Sequence, residues 1–121
     1  MKKTVVIGAS PSSSRYSNLV SLMLDNAGHD FVPVGIKQGE ILGKTILNLK
    51  DKPDIENVHT VTIYLNPNNQ KDWYSYILSL NPKRIIFNPG TENTELAEMA
   101  KNKGIEVEYA CNLVLIQTGQ F

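Results

Sequence analysis

Residues 8 to 17 read "GASPSSSRYS", a glycine followed by a run of hydroxyl side chains and an arginine. These are residue types that hold an anion. Gly8 permits a sharp turn, Ser10, Ser12, Ser13 and Ser14 offer donors, and Arg15 can grip a phosphate with two parallel hydrogen bonds. A helix starting just beyond would add its free N–H groups to the same anion site. The competing use of these residues is local: Ser13 or Ser14 caps the helix and Arg15 stays in water.

The kind of phosphate ligand follows from what is missing. A dinucleotide loop needs glycines at three fixed positions, and here those positions hold Gly8, Ser10 and Ser13. It also needs an acid at the end of the second strand to hold the ribose hydroxyls, whereas "VPVGIKQ" places Lys37 there. A lysine suits a phosphate better than a bare ribose. NAD is therefore disfavoured, and a phosphorylated adenosine ribose, as in NADP or coenzyme A (CoA), fits better.

The remaining reactive side chains make a thin case for catalysis. His29 and His59 fall at the starts of predicted strands, on the side of the sheet away from the loop, and no cluster of His, Cys and carboxylates has metal-ligand spacing. No catalytic or metal-binding residue is assigned. Cys111, the single cysteine, follows the last predicted strand in "YACNLVLIQ" and is expected to face the ligand crevice. It is either a small buried hydrophobe or a thiol able to exchange disulfides or accept an acyl group. Tyr64 is expected to border the same crevice, and Trp73 to pack. Glu92, Glu95 and Glu98 form a solvated helix face.

The elements that must position these residues alternate. Strands are predicted over Thr4 to Ile7, Phe31 to Val34, Thr60 to Leu65, Arg84 to Phe87 and Glu106 to Tyr109. Helices are predicted over Ser17 to Ala27, Gln70 to Leu80 and Glu95 to Lys103, stopped by Gly28, Pro82 and Gly104. Asn68 is the expected cap of the second helix, and Thr91 or Asn93 of the third. Alternation of this kind is the α/β pattern, and "TVVI" is the continuous apolar run of a parallel strand covered on both faces. Gly35 to Asn57 is the least regular stretch, expected to hold a short extra strand or a helical turn within a crossover. "LVLIQTGQF" after the last strand either completes the core or covers a partner subunit.

With 121 residues, a single domain spanning 1–121 is expected, and 12 basic residues against 12 acidic ones leave no general field for nucleic acid or an anionic membrane. The apolar run in "MKKTVVIGAS" is too short for a signal peptide or membrane span, so the expected address is the cytoplasm.

Three segments also carry a resemblance. "VIGASPSSSRYSNLV", "VPVGIKQGEILGKTILNLKDKPD" and "FNPGTENTELAEMAKNKGIEV" are similar to the corresponding segments of small stand-alone CoA-binding proteins, whose domain resembles the CoA-binding domain of succinyl-CoA synthetase. The resemblance runs in order through nearly the whole chain. It implies a single Rossmann-like, doubly wound and mostly parallel sheet of about five strands with helices on both faces. It implies that Gly8, Ala9, Ser10, Arg15 and Ser17, with Ser14 beside them, form the pyrophosphate loop. Lys37 would lie near the phosphoadenosine end, and Asn88, Pro89 and Gly90 beside the pantetheine path. The chain departs from the family pattern at Gly35-Ile36, where Asn-Pro is common, and at Tyr64-Leu65-Asn66-Pro67, where an aromatic and an arginine are common. The expected function is non-catalytic binding of CoA or an acyl-CoA, as a carrier, a sensor, or a subunit of a homodimer or partner enzyme. The alternatives are a small NADP-dependent enzyme and a ligand-free scaffold on the same fold.

Overall fold

Strand β1 (Thr4–Ile7) is buried along its whole length, which is why it carries no polar alternation. Val5 and Ile7 face one side of the sheet and Val6 the other. The computed structural model describes residues 1–121. Helix α1 (Tyr16–Asn26) leads to β2 (Phe31–Gly35), then to a small hairpin of β3 (Glu40–Ile41) and β4 (Lys44–Thr45), and to β5 (Leu47–Asn48). The second half runs β6 (Thr60–Ile63), α2 (Tyr74–Ser79), β7 (Arg84–Phe87), α3 (Thr94–Asn102), β8 (Glu106–Tyr109) and α4 (Asn112–Gln117).

The main sheet has six strands in the order β5-β2-β1-β6-β7-β8, all parallel. On one face, Val20 and Leu24 of α1 share a core with Val6, Phe31 and Ile86, closed by Leu113, Leu115 and Ile116 of α4. On the other, Ile77 of α2 and Leu96, Ala97 and Ala100 of α3 pack on Val5, Ile7, Val61, Ile63, Ile85 and Phe87. Each fully buried aliphatic side chain contributes about 1.5–3 kcal/mol relative to exposure, so two apolar faces are what hold the sheet.

The irregular stretch after β2 supplies the extra strand: β5 adds two residues beyond β2, pairing Leu47 with Val34 and Asn48 with Gly35. The hairpin before it turns at Leu42 and Gly43, both left-handed at φ 50° and 77°. The predicted second helix is broken at its start. Asn66, rather than Asn68, caps a short 3₁₀ turn by accepting from the Asn69 amide, a second such turn covers Lys71–Trp73, and α2 begins only at Tyr74. Pro67 accounts for the early cap, because proline fits the first position of a helical turn. Of the two caps considered for α3, Asn93 performs the role, accepting from Leu96 N at 3.2 Å. Trp73 packs against the core as expected.

The stretch after β8 completes the core as α4 and then carries Phe121 to the amino ends of the strands. There the Phe121 ring lies 4.5 Å from the Arg84 guanidinium carbon and 5.0 Å, edge to face, from the His29 ring. Arg84 is 4% exposed, and donates from Nε to Thr60 Oγ1 and from Nη1 to the Phe121 carbonyl, both at 3.1 Å. His29 accepts from the Lys2 amide at Nδ1, and burial followed by nearby positive charges lowers its pKa. No helix is long and apolar enough to cross a membrane.

Candidate functional site

β1 lies between β2 and β6, and the chain leaves it toward opposite edges of the sheet. The crevice beyond its carboxyl end is the switch point, where open α/β sheets take their ligands. Two glycines make the backbone fit there. Gly8 has φ +95°, and a Cβ on it would lie 3.0 Å from the Tyr64 carbonyl. A Cβ on Gly35 would lie 2.5 Å from the Ala9 carbonyl oxygen. The end of β1 is thus clasped between the backbones of β2 and β6, which gives Gly35, a departure from the family pattern, a packing reason.

The loop sorts its amides into used and free. Gly8 N and Ala9 N both donate to the Val34 carbonyl, at 2.9 and 3.0 Å. Ser10 is spent on loop shape: its hydroxyl accepts from Ser12 N at 3.1 Å, and its carbonyl accepts from Asn18 Nδ2 at 3.0 Å. The amides of Ser13, Ser14, Tyr16 and Ser17 have no partner in the chain. Arg15 occupies the N-cap position of α1 in extended conformation, and neither it nor a serine caps the helix through a side chain. Free amides at a helix N-terminus carry positive potential, which is the chemistry an anion site requires.

Facing the arc is the loop after β7, and between them lies a cleft of about 480 Å³. Gly8, Ser14, Arg15, Ser17, Pro89 and Gly90 line it, so the structure brings these predicted site residues together. Ala9 and Ser10 are buried behind it. Lys37 is exposed in the segment beyond β2, outside the cleft lining.

Asn88 is placed differently from a simple ligand contact. Its Nδ2 donates to Thr62 Oγ1 at 2.8 Å and to the Ile63 carbonyl at 2.9 Å, while its Oδ1 accepts from Asn112 N at 2.8 Å. One buried side chain thus ties β6, β7 and α4 together at the crevice floor. Gln70, not singled out from sequence, does the same for the rim. It is 0% exposed, donates to the Leu65 and Thr91 carbonyls at 2.8 Å each, and accepts from Asn93 Nδ2 at 2.9 Å. A glutamine beside a proline-led turn gives no sequence signal for this, because its partners are more than twenty residues away in part.

Beside the cleft, and sharing Tyr16, Tyr64 and Pro89 with it, is an inner cavity of about 270 Å³. Asn88, Cys111 and Leu113 complete its wall. Cys111 therefore faces the crevice, and Tyr64 borders it, both as the sequence order suggests. Burial, and then the neighbouring Cys111, push the Tyr64 phenol above its ordinary pKa. A larger concavity of about 1090 Å³ lies at the opposite end of the sheet, lined by residues including Lys3, Asp30, Asp54 and Lys83. It is broad and mixes both charges. No group of three His, Cys, Asp or Glu side chains is placed to hold a metal ion.

A parallel sheet in this strand order, with helices on both faces, defines the Rossmann-like class. Within that class, the family model described as "CoA binding domain" matches residues 2–117, and the chain belongs to this family. Among solved structures it is similar to an uncharacterised protein, at 55% identity and TM-score 0.97, covering 100% of this chain and 98% of that one. It is also similar in fold to a hypothetical protein from Pyrococcus horikoshii OT3, at 24% identity and TM-score 0.84, covering 97% of this chain and 82% of that one. A protein from Thermus thermophilus shares the fold at 23% identity and TM-score 0.82, covering 99% and 90%. No curated protein matches the sequence.

Proposed function

We propose that the protein binds CoA without catalysing a reaction on it, and acts in the cytoplasm as a carrier, a sensor or a partner subunit. The observation that carries this reading is the arc of unpaired amides at Ser13, Ser14, Tyr16 and Ser17, with the Arg15 side chain exposed beside it. The free amides and the Arg15 guanidinium fit a pyrophosphate because they can only donate, and the Glu92 carboxylate beside the cleft is engaged by the Gly90 amide at 2.9 Å. Ser14 adds a hydroxyl, Gly8 lets the loop turn, and Pro89 and Gly90 flank the way toward the inner cavity, along which pantetheine would lie. Lys37, exposed beyond β2, suits the phosphate on the adenosine ribose. The family to which the chain belongs supports CoA as the ligand.

Calorimetry of the purified protein with CoA and with NADP tests the reading. CoA is expected to bind, with heat stabilisation of about 2.7 kcal/mol at a hundredfold excess over Kd. Arg15→Ala is expected to weaken it by about 10–100-fold, the loss of hydrogen bonds to a charged group. Tighter binding of NADP, or no binding of CoA, rejects the proposal; in the second case the fold serves as a scaffold.

A further inference from the structure

Helix α4 is apolar all round. Its inner run, Leu113, Val114, Leu115 and Ile116, is the pattern of a helix covered on every side, yet Val114 is 48% exposed and the other three are only half-buried. One side of α4 closes the core it shares with α1, and the chain leaves the other side uncovered. Helix α1 packs beside it and continues the surface. Tyr16, Leu19 and Leu22 recur every third residue along α1 and are 72%, 42% and 38% exposed. No charged residue occurs from Tyr16 to Leu24 or from Asn112 to Phe121. The exposed side of α3, in the opposite layer, is different: Glu95, Glu98 and Lys101 accompany its one exposed large apolar side chain, Met99. Single exposed apolar residues are ordinary, but an uncharged face two helices wide marks an interaction surface.

We propose that this face packs against the same face of a second copy of the chain, about a two-fold axis that sets the two α1 helices antiparallel. The ends of α1 select that occupant. Arg15 and Asp25, both exposed and of opposite sign, flank the apolar stripe and stand about 15 Å apart along the helix. Antiparallel helices crossing near Val20 bring each Arg15 to the second copy's Asp25, whereas parallel ones would set like charges together. The same crossing places Leu19 opposite the second copy's Leu22. The stripe is thus complementary to itself, as a two-fold interface requires. Arg15 has five N–H donors, enough for that carboxylate and an anion at the loop together. Area sets the strength: a face two short helices wide belongs with the small interfaces, under about 1,200 Å² in total, so the dimer is expected to be weak, with a Kd of about 10–100 µM. The proposal stands apart from the CoA reading, because neither Leu19 nor Leu22 lines the cleft or the inner cavity.

Sedimentation equilibrium of the full chain, without ligand, tests this. Wild type is expected to pass from monomer to dimer across about 5–500 µM. Leu19→Glu and Leu22→Lys, each alone, should raise Kd more than about 100-fold, since the two-fold axis buries each new charge twice. An equimolar mixture of the two variants should recover a dimer within about tenfold of wild type, because the antiparallel crossing sets one charge against the other. Met99→Glu, on the opposite layer, should leave Kd within about twofold. Circular dichroism of the monomers checks that the variants fold. If the leucine variants do not, Asp25→Arg decides: it should weaken the dimer about threefold to tenfold by setting like charges together. A wild type still monomeric at about 500 µM overturns the proposal and leaves the face to a different protein. A dimer that survives Leu19→Glu, Leu22→Lys or Asp25→Arg undiminished, or that is lost with Met99→Glu, overturns it, and so does a mixture that stays monomeric.

Discussion

Replacing Asn88 with alanine separates a ligand contact from a structural tie. The substitution deletes the two hydrogen bonds donated to Thr62 Oγ1 and the Ile63 carbonyl, and the one accepted from Asn112 N. Asn112 is 0% exposed and its amide has no other partner in the chain, although water entering from the inner cavity lined by Asn88 offsets part of the loss. The orphaned amide costs about 1–3 kcal/mol, and each of the other two lost bonds about 0.5–1.5 kcal/mol net. The expected loss is about 3 kcal/mol, within a total stability of about 5–15 kcal/mol for a domain of this size, so the variant still folds. At about 4 °C per kcal/mol, Tm falls by roughly 12 °C. Urea unfolding should show a lower midpoint at unchanged slope. Asn88→Asp restores the acceptor for Asn112 N but loses both donors, and should also be destabilised. A loss below about 1 kcal/mol for Asn88→Ala would refute the reasoning, since it requires the three bonds to be dispensable.

Further predictions concern backbone and charge. Gly35→Ala places a Cβ 2.5 Å from the Ala9 oxygen and should cost about 1–3 kcal/mol in thermal unfolding, as overpacking does. Leu42 is an exposed leucine at φ 50°, so Leu42→Gly should raise stability by about 0.5–1 kcal/mol in urea titration. His29 and His59 have lowered folded pKa values, caused first by burial and then by neighbouring positive charges. The unfolded chain therefore takes up their protons first: their contribution is intact above the unfolded value of 6.5 and is lost as pH falls through the lower folded values. Melting curves should be flat from neutral to mildly basic pH and fall on acidification, and His29→Phe should shrink that fall.

The parts of the fold visible in the sequence are those with local causes. β1, β2, β7 and β8 announce themselves by β-rich runs, and α1 and α3 by spacing and by glycine stops. A short extra strand is expected somewhere within Gly35 to Asn57, but its place is not legible: β5 has two residues and takes its identity from pairing with Val34 and Gly35, a tertiary relation. The site divides the same way. Gly8 and the serines mark an anion loop by type alone, but which amides stay free is decided by how closely Val34 approaches, since its carbonyl consumes those of Gly8 and Ala9. Asn88 reads as a site residue because of where it falls in the chain, while its three partners lie far away in sequence.

The central position of β1 also sets a schedule for synthesis. Its neighbour β2 is made soon after it, but its other neighbour is β6, with Thr4 paired to Thr60 and Ile7 to Ile63. At about 5–20 residues per second, a ribosome needs several seconds to bring that partner into being. During this interval the nascent half-sheet presents "TVVI" as an open edge, a flat apolar template for pairing with another chain. Slowing translation between Gly35 and Thr60 should lengthen that exposure and raise aggregation of new chains without altering the stability of the finished protein.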